Sequence, residues 1–284
     1  MKTLLIALLY LVAAPLLGGV LAGVDRIATA RMQSRVGPPL LQPFFDVLKL
    51  LRKENLVVNH YQNFYIVCYL IFMILTGGLF FAGGDLLLSI FALTLADIFL
   101  VMGAYAANSP YSIIGAEREL ILMMAYEPML LLFAIGFYLV THTFSVHDIA
   151  VFQKPLIVYL PGIFLGFLFV LTIKFRKSPF DISTSHHGHQ EVVKGLTTEF
   201  TGPALAMIEI AHWYECILLL GMVYLFFAWS PALAIAMVLL SYFFEVFIDN
   251  TYARTKWRMA VQSSWMTAIV LGAGNLMALY YILR

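Results

Sequence analysis

Charged residues are scarce in this 284-residue sequence, where Asp, Glu, Lys and Arg make up 12% and hydrophobic residues 62%. Soluble domains carry about 25% charged and about 45–50% apolar residues. The composition therefore excludes an ordinary soluble domain and predicts an integral membrane protein. No stretch longer than about 35 residues lacks a candidate span, so we expect residues 1–284 to form a single polytopic membrane domain.

Cysteine is nearly absent, since only Cys68 and Cys216 occur and both lie inside predicted spans. Two thiols far apart in sequence cannot assemble an iron–sulfur, zinc or nickel site. We expect no cofactor, no metal and no catalytic residue in this chain, so any enzymatic role has to depend on other chains. A phosphate-binding G-x-x-x-x-G-K-[ST] loop is also missing, which excludes a chain that is driven directly by ATP.

Long apolar runs predict an all-α fold with about eight transmembrane helices. Gly83, Gly84 and Asp85 mark one tight external turn, and Trp229, Ser230 and Pro231 mark another. The predicted spans are about 3–23, 64–83, 86–107, 120–141, 156–174, 203–227, 231–248 and 260–282.

The basic residues predict the orientation of these spans. If the N-terminus lies outside, all 17 Lys and Arg except Lys2, Lys154 and Arg284 fall on the inner side. Such an excess of positive charge is typical of cytoplasmic segments. We therefore expect a multi-pass protein of the cytoplasmic membrane with both termini outside.

An amphipathic segment, "PPLLQPFFDVLKLLRKEN", separates the first two spans. Gln42, Asp46, Lys49 and Lys53 recur at helical spacing, and apolar residues occupy the other side. This pattern predicts an interfacial helix lying against the inner surface of the membrane.

Five acidic residues lie inside predicted spans, where an unpaired carboxylate costs several kcal/mol. They are Asp97, Glu127, Glu209, Glu215 and Glu245. Each can serve as a hydrogen-bonding residue that holds two helices together, or as a step in an ion path. Five such residues in one small bundle favour the ion path.

Two local patterns support this interpretation. His212 is three residues from both Glu209 and Glu215, so "EIAHWYE" places a polar stripe along one helix. Pro128 follows Glu127 and removes a backbone donor, which predicts a kink beside that carboxylate.

Several segments, in order, resemble one membrane-protein family: "DRIATARMQSRVGPPLLQPFFDVLKLLRKEN", "AYEP", "PFD" and "EVVKGLTTEFTG". They are similar to the H subunit of bacterial respiratory complex I, the membrane subunit at the joint of that enzyme. The same type of subunit occurs in energy-converting membrane-bound [NiFe] hydrogenases. The resemblance extends over about residues 25 to 260, and the sequence is identified as a member of this family.

Departures from the complex I pattern favour the hydrogenase branch. The segment after PFD contains His186, His187 and His189 instead of an acid-rich stretch, and Lys174 stands where quinone-using relatives usually carry glutamate. His212 and Trp213 replace a Glu-Tyr pair. Together with "GAEREL" at 115–120, these features resemble the ferredoxin-dependent Ech type, and a quinone-reducing complex I is the alternative.

The resemblance also implies roles for the loop around residues 175–202. In the family this loop helps build the cavity beneath the peripheral redox arm, and Asp181, Glu191 and Glu199 match the family's acidic positions. We therefore expect these acids, Lys174 and the three histidines to act in coupling. The histidines can also be read as a metal site, but HHGH lacks the spacing of a zinc motif, so pH-sensitive packing or proton exchange is favoured.

Arg26, Arg31 and Arg35 in the first inner loop have two interpretations, which are compatible. They can set topology and contact lipid head groups, or dock the acidic face of a soluble partner. Arg35 matches the family's R-x-G-P turn, which favours docking.

The resemblance implies a membrane anchor and ion-translocation subunit without a redox centre of its own. Electrons would pass from ferredoxin through iron–sulfur clusters to a [NiFe] centre, all in partner chains. The implied partners are the soluble large and small hydrogenase subunits, a ferredoxin-like iron–sulfur subunit, a larger antiporter-like membrane subunit and the lipid membrane, with no nucleic acid. A stand-alone ion or solute carrier is the rival from another class.

Overall fold

A computed structural model describes residues 2–56, 59–183 and 194–283 of the chain. Apart from one bridge between Asp85 and Ser145, the regular structure in these ranges is helical. The helices are α1 (Lys2–Met32), α2 (Gln42–Leu51), α3 (His60–Phe81), α4 (Leu86–Ala106), α5 (Pro110–Thr141), α6 (Val146–Val151), α7 (Leu156–Tyr159), α8 (Pro161–Lys174), α9 (Gly202–Leu225), α10 (Pro231–Thr251), α11 (Trp257–Thr267) and α12 (Gly274–Leu283).

The all-α membrane class is confirmed, whereas the expected number of eight spans is not. Within the described ranges, six helices are long and apolar enough to cross a membrane: α1, α3, α4, α5, α9 and α10. Both predicted external turns are present, because Asp85 caps the start of α4 and Ser230 precedes α10. By these turns, α1, α8 and α10 end on the predicted inner side, where α5 and α9 begin.

The two remaining predicted spans are helices with interruptions. The span at 156–174 breaks at Leu160, where Pro161 begins α8, so α8 itself has only 14 residues. The span at 260–282 contains a π-helical segment, Ala268–Ala273, between α11 and α12. Asn275 joins the two interrupted regions, since its side chain accepts a hydrogen bond from Ile163 N and donates one to Tyr159 O, both at 3.2 Å.

Helix α1 packs closely on α9 and α3 because small residues allow it to approach. A Cβ on Gly18 would lie 2.7 Å from the backbone oxygen of Trp213, and one on Gly77 would overlap the hydroxyl oxygen of Tyr10. Helices in lipid associate without a hydrophobic driving force, so they depend on van der Waals packing, which small residues at the crossing make possible. These contacts hold α1 beside the polar face of α9.

The predicted amphipathic helix is confirmed as α2. Val47 is buried against α9, whereas Phe45 and Leu48 are exposed on the opposite side. Phe44 packs against the ring of Trp213, with ring centroids 5.2 Å apart. The apolar residues are therefore divided between the protein and the face that a membrane would cover.

Candidate functional site

A polar cavity of about 400 Å³ lies among α1, α9, α10 and the segment that follows α8, in the half of the bundle toward the predicted inner side, which we call the inner half. Its walls include the three members of the predicted stripe on α9. The lining residues are Gly18, Ala22, Asp25, Arg26, Lys174, Phe175, Arg176, Lys177, Lys194, Thr197, Glu209, His212, Trp213, Glu215, Cys216 and Tyr242. Arg26, from the first inner loop, and residues of the loop around 175–202 thus line the same cavity.

The ammonium group of Lys174 lies between two buried carboxylates at the deep end of this cavity. It contacts Asp97 from α4 and donates to Glu215 Oε1 from α9 at 2.8 Å. The hydroxyl of Tyr126 donates to Asp97 at 3.0 Å, and its ring faces the ammonium, 4.9 Å from centroid to nitrogen. Lys174, Asp97, Glu215 and Tyr126 form what we call the lysine cluster.

The lysine cluster lies near the middle of the bundle. Asp97 and Glu215 each stand close to the midpoint of their helices, although Lys174 is the last residue of α8. All three charged side chains are less than 5% exposed. Removing one partner of such a buried pair costs about 3–5 kcal/mol, because a charge is left without compensation.

A second buried pair forms just beyond α8. Arg176 donates to Glu119 Oε1 of α5 at 3.1 Å, and the Ser183 hydroxyl donates to the other oxygen of Glu119. Arg176 also contacts His212 Nε2. An arginine can only donate, so Nε2 of His212 is the acceptor and the imidazole is neutral in this arrangement.

Arg176 reaches these partners through an unusual backbone conformation. Its φ is +51°, in the left-handed region that residues with a Cβ seldom adopt. Strain of this kind persists where surrounding contacts impose it, often at functional sites. Burial opposes the charged form of Arg176, but the carboxylate of Glu119 outweighs it and raises the pKa of the guanidinium. Arg176 is therefore a fixed positive charge.

The third cation of the segment, Lys177, ties the loop to two helices. Its ammonium lies 2.7 Å from Asp25 of α1 and 3.8 Å from Asp249 of α10. Both carboxylates are about a quarter to a third exposed, so water screens these pairs more than it screens the lysine cluster. The three cations after the apolar run of α8 thus connect α1, α4, α5, α9 and α10.

Asp181, in the matched PFD motif, lies outside the cavity and contacts Arg254, beyond the end of α10. Burial raises the pKa of its carboxyl, and the hydrogen bond from Arg254 only partly offsets that effect. The backbone of Pro179 accepts a hydrogen bond from Thr255 N at 3.0 Å. This part of the loop is consequently attached to the chain that follows α10.

Glu127 and Glu199 lie apart from the cavity. Glu127 is half-buried in α5, directly after Tyr126, and its carboxylate makes no hydrogen bond or ion pair with the residues that the structure describes. Glu199 is half-buried, and its backbone carbonyl accepts a hydrogen bond from Gln62 of α3 at 3.3 Å. Their predicted roles in coupling stay predictions.

Glu245 is fully buried on α10, and neither of its carboxylate oxygens has a hydrogen-bond partner in the described part of the chain. Thr172 faces it from α8, but that hydroxyl donates to the Leu168 carbonyl at 3.3 Å. An unpaired carboxylate costs several kcal/mol at such a depth. It does not line the polar cavity.

The first-loop arginines differ in their surroundings. Arg26 pairs with Asp46 of α2 at 2.7 Å and lines the cavity. Arg31 is exposed, as is Arg35, whose Nε donates to Gln33 at 2.9 Å. Burial of Asp46 acts to raise the pKa of its carboxyl. Hydrogen bonds from Arg26 and Gln42 outweigh this effect, so the pKa is lowered.

Four predicted site residues, His186, His187, His189 and Glu191, lie outside the described ranges. Elsewhere in the described chain, no group of three or more His, Cys, Asp and Glu side chains is placed to hold a metal ion. The expected roles of these four residues stay predictions.

The sequence pattern indicates Lys174 but not several other residues that complete the site. These are Asp25, Glu119, Tyr126, Arg176 and Lys177. The signal was "KFRK" at 174–177, which puts three cations directly after an apolar run. In a chain with deep acidic residues, such a cluster indicates the missing counter-charges.

The fold and site define a polytopic membrane protein in which a polar inner cavity leads to buried ion pairs. A family model described as NADH dehydrogenase matches residues 4–280, and the chain belongs to this family.

Three relatives illustrate the range of the family. The chain is 26% identical over 283 residues to the H subunit of NADH-quinone oxidoreductase from Dehalococcoides mccartyi (strain CBDB1), with 89% of this chain and 79% of that protein covered. It is 28% identical over 204 residues to hydrogenase-4 component C of Escherichia coli (strain K12), with 66% and 63% covered. A chain of the membrane-bound sulfane sulfur reductase, an archaeal respiratory membrane complex, superposes with a TM-score of 0.86 at 26% identity, covering 98% of this chain and 100% of that one.

Proposed function

We propose that this chain is the membrane subunit of an ion-translocating, ferredoxin-dependent [NiFe] hydrogenase of the Ech type. It anchors the peripheral redox arm and passes coupling to proton or sodium translocation through buried charged groups. The proposal rests on the position of Lys174, which lines the inner cavity and forms ion pairs with two carboxylates at mid-depth in the bundle.

The geometry supports coupling because ionisable groups lead from the wall of the cavity to the middle of the bundle. Glu209, His212 and Glu215 line the cavity on α9. Glu215 then contacts Lys174, which contacts Asp97, the acceptor of the Tyr126 hydroxyl. A change of charge or position at the cavity would act on this series over hydrogen-bond distances, where electrostatic interactions are strongest.

The character of the cavity favours the hydrogenase branch over a quinone site. Sites for organic ligands are mostly apolar with a few polar groups. Here Lys174, Arg176, Lys177, Glu209 and Glu215 all line the same space of about 400 Å³. A lining with this many charged groups is a poor match for the apolar tail of a quinone. Hydrogenase-4 component C, one of the relatives, is named as part of a hydrogenase.

The partners follow from the same proposal. The soluble large and small hydrogenase subunits would carry the [NiFe] centre, and a ferredoxin-like subunit would carry iron–sulfur clusters. A larger antiporter-like membrane subunit would continue the ion path. This chain would hold no cofactor and would lie in the cytoplasmic membrane with both termini outside, since the basic residues concentrate on the inner side.

A reductase that acts on sulfane sulfur is a second candidate. The sulfane sulfur reductase chain is matched over its entire length, with a TM-score of 0.86. The membrane subunit would have the same anchoring and coupling role in that case, and only the reaction of the peripheral arm would differ.

The deciding experiment is purification of the intact complex through a tag on this chain, followed by metal analysis and turnover with reduced ferredoxin. We expect the complex to contain nickel. We also expect it to evolve hydrogen at a rate that quinone-site inhibitors do not change. Nickel-free complex that reduces polysulfide would support the second candidate. Nickel-free complex that reduces quinone would support a complex I role. A chain that purifies alone and transports a solute would identify a carrier.

A further inference from the structure

The ammonium group of Lys174 occupies the position that a free cation would take between two carboxylates. It contacts Asp97 from one side, and Glu215 accepts its hydrogen bond at 2.8 Å from the other. The ring of Tyr126 faces the same ammonium at 4.9 Å. Oxygen atoms from separate helices and an aromatic face surround one positive charge, as in a cation-binding site.

Within the lysine cluster, two carboxylates share one ammonium. One further oxygen, Asp97 Oδ1, is buried and has no hydrogen-bond partner in the described chain. The side chain of Asp97 is only 2% exposed, so bulk water does not satisfy it. The arrangement therefore retains capacity to bind positive charge.

The cluster is also accessible from the inner side. Lys174 and Glu215 line the polar cavity, whereas Asp97 is behind them. An ion entering the cavity would meet the ammonium before it reached Asp97. Removal of this ammonium would leave a negatively charged recess open to the cavity.

We propose that Asp97 and Glu215 form a binding site for a monovalent alkali cation, and that Lys174 fills this site with a tethered ammonium, so that the native chain excludes Na⁺ and K⁺ there. An ammonium group is close to K⁺ in size and charge. The inference concerns this chain alone and holds whichever redox arm is attached.

Lys174→Met tests the proposal with little other change. Methionine keeps the length of the side chain as far as Cε, with sulfur in place of Cδ, and lacks Nζ. In the detergent-purified complex, we expect the Tm of this variant to rise by about 4 °C when 200 mM choline chloride is replaced by KCl or NaCl. The rise should saturate with cation concentration, whereas the native complex should show no difference among the three salts.

Lys177→Met is the matched control, because Lys177 also lies between two carboxylates, but these are partly exposed to water. We expect the control to respond to ionic strength only, without preference for an alkali cation. The double variant Lys174→Met/Asp97→Asn has lost one carboxylate with the ammonium, so its Tm should no longer depend on the alkali cation.

Three results would overturn the proposal. A folded Lys174→Met complex with the same Tm in all three salts would show that the carboxylates take up a proton instead. A saturable response of the native complex that Asp97→Asn removes would show that the site is not filled by Lys174. If the Lys174→Met complex cannot be obtained folded in any of the three salts, whereas the double variant can, the two carboxylates accept the tethered ammonium but no free alkali cation.

Discussion

The inner and outer halves of the bundle are held together by different forces. In the inner half, Lys174, Arg176 and Lys177 connect five helices through ion pairs. In the outer half, Phe226 packs edge-on against Phe133 and Phe137, with ring centroids 5.6 and 4.9 Å apart.

The cavities of the two halves differ in the same way. The inner cavity is lined by charged residues, whereas an outer cavity of about 680 Å³ is lined mainly by apolar ones. Its polar side chains are confined to Ser145, His147 and Tyr224. The outer half therefore resembles an ordinary apolar core, whereas the buried charged residues of the described chain lie in the inner half and at mid-depth.

Cysteine labelling from either side of the membrane tests the assignment of inner and outer, with an all-or-none result. In a background with Cys68→Ala and Cys216→Ala, we expect Ser34→Cys to react only from the cytoplasm and Gln153→Cys only from outside. Both positions are exposed, in the first inner loop and between α6 and α7. Reaction of both from the same side would contradict the topology.

Glu215→Gln should have the largest effect on function. Glutamine keeps the volume but cannot carry a proton, and it leaves Lys174 with a single carboxylate. In vesicles containing the complex, we expect ion transport to fall at least about tenfold while uncoupled turnover of the redox arm falls about twofold or less. Glu117→Gln, at an exposed position on α5, is the matched control. An unchanged ratio of ions to turnover would make Glu215 a residue that only holds helices together.

Glu119→Gln should destabilise the inner half. It removes the charge that compensates Arg176, whose side chain is 12% exposed. We expect the free energy of unfolding to fall by about 4 kcal/mol. Glu117→Gln, two residues away, should change it by less than about 0.5 kcal/mol. A loss of similar size in both variants would contradict the role of the buried pair.

Phe226→Ala tests the outer half. The variant removes ring contacts to α5 and α8 and should cost about 3 kcal/mol of stability through cavity formation. We expect the ratio of transported ions to redox turnover to stay at its native value, unlike that of Glu215→Gln. If Phe226→Ala uncouples transport, the division between the two halves is wrong.

Arg26→Ala should have the smallest effect, since the side chains of Arg26 and Asp46 are 46% and 36% exposed. Solvent screens such a pair, so we expect a loss of at most about 1 kcal/mol at neutral pH. The folded-state pKa of Asp46 is lowered. The stabilisation that the Arg26–Asp46 pair provides is therefore complete at pH values above the pKa of Asp46 in the unfolded state. It is lost as the pH falls through the pKa of Asp46 in the folded state.

The expected measurement is unfolding at several pH values in the native protein and in Arg26→Ala. The stability difference should be present near neutral pH, disappear in acid and shrink at high salt. A difference that grows as the pH falls would contradict this account of Asp46.

Much of the fold could be predicted because hydropathy and turn residues act locally. The long spans, the turn at Asp85 and the amphipathic helix α2 follow from residues near one another in sequence. The break before α8 was not predicted, although Pro161 stands inside the apolar run. In a transmembrane helix a proline is compatible with either a kink or a break, and the side chain of Asn275, far along the chain, is what satisfies the broken end.

The candidate site could be predicted only in part, for a similar reason. Helical spacing predicted a polar stripe of Glu209, His212 and Glu215, and all three residues line the polar cavity. It could not indicate that Lys174 from another helix would lie between Glu215 and Asp97. Periodicity specifies which face of a helix is polar, but the partner of that face depends on packing between distant segments.

The short helix α8 has a consequence for how the protein experiences the membrane voltage. Its 14 residues span about 21 Å, against about 30 Å for the hydrocarbon layer. Its last residue, Lys174, meets Asp97 about 14 Å along α4 from the inner end of that helix. In the predicted topology, we expect the polar cavity to bring water from the inner side toward this depth. The voltage would then fall across a thinner apolar layer than in an unbroken bilayer, so the field beyond Lys174 would be stronger and a charge would have less thickness to cross.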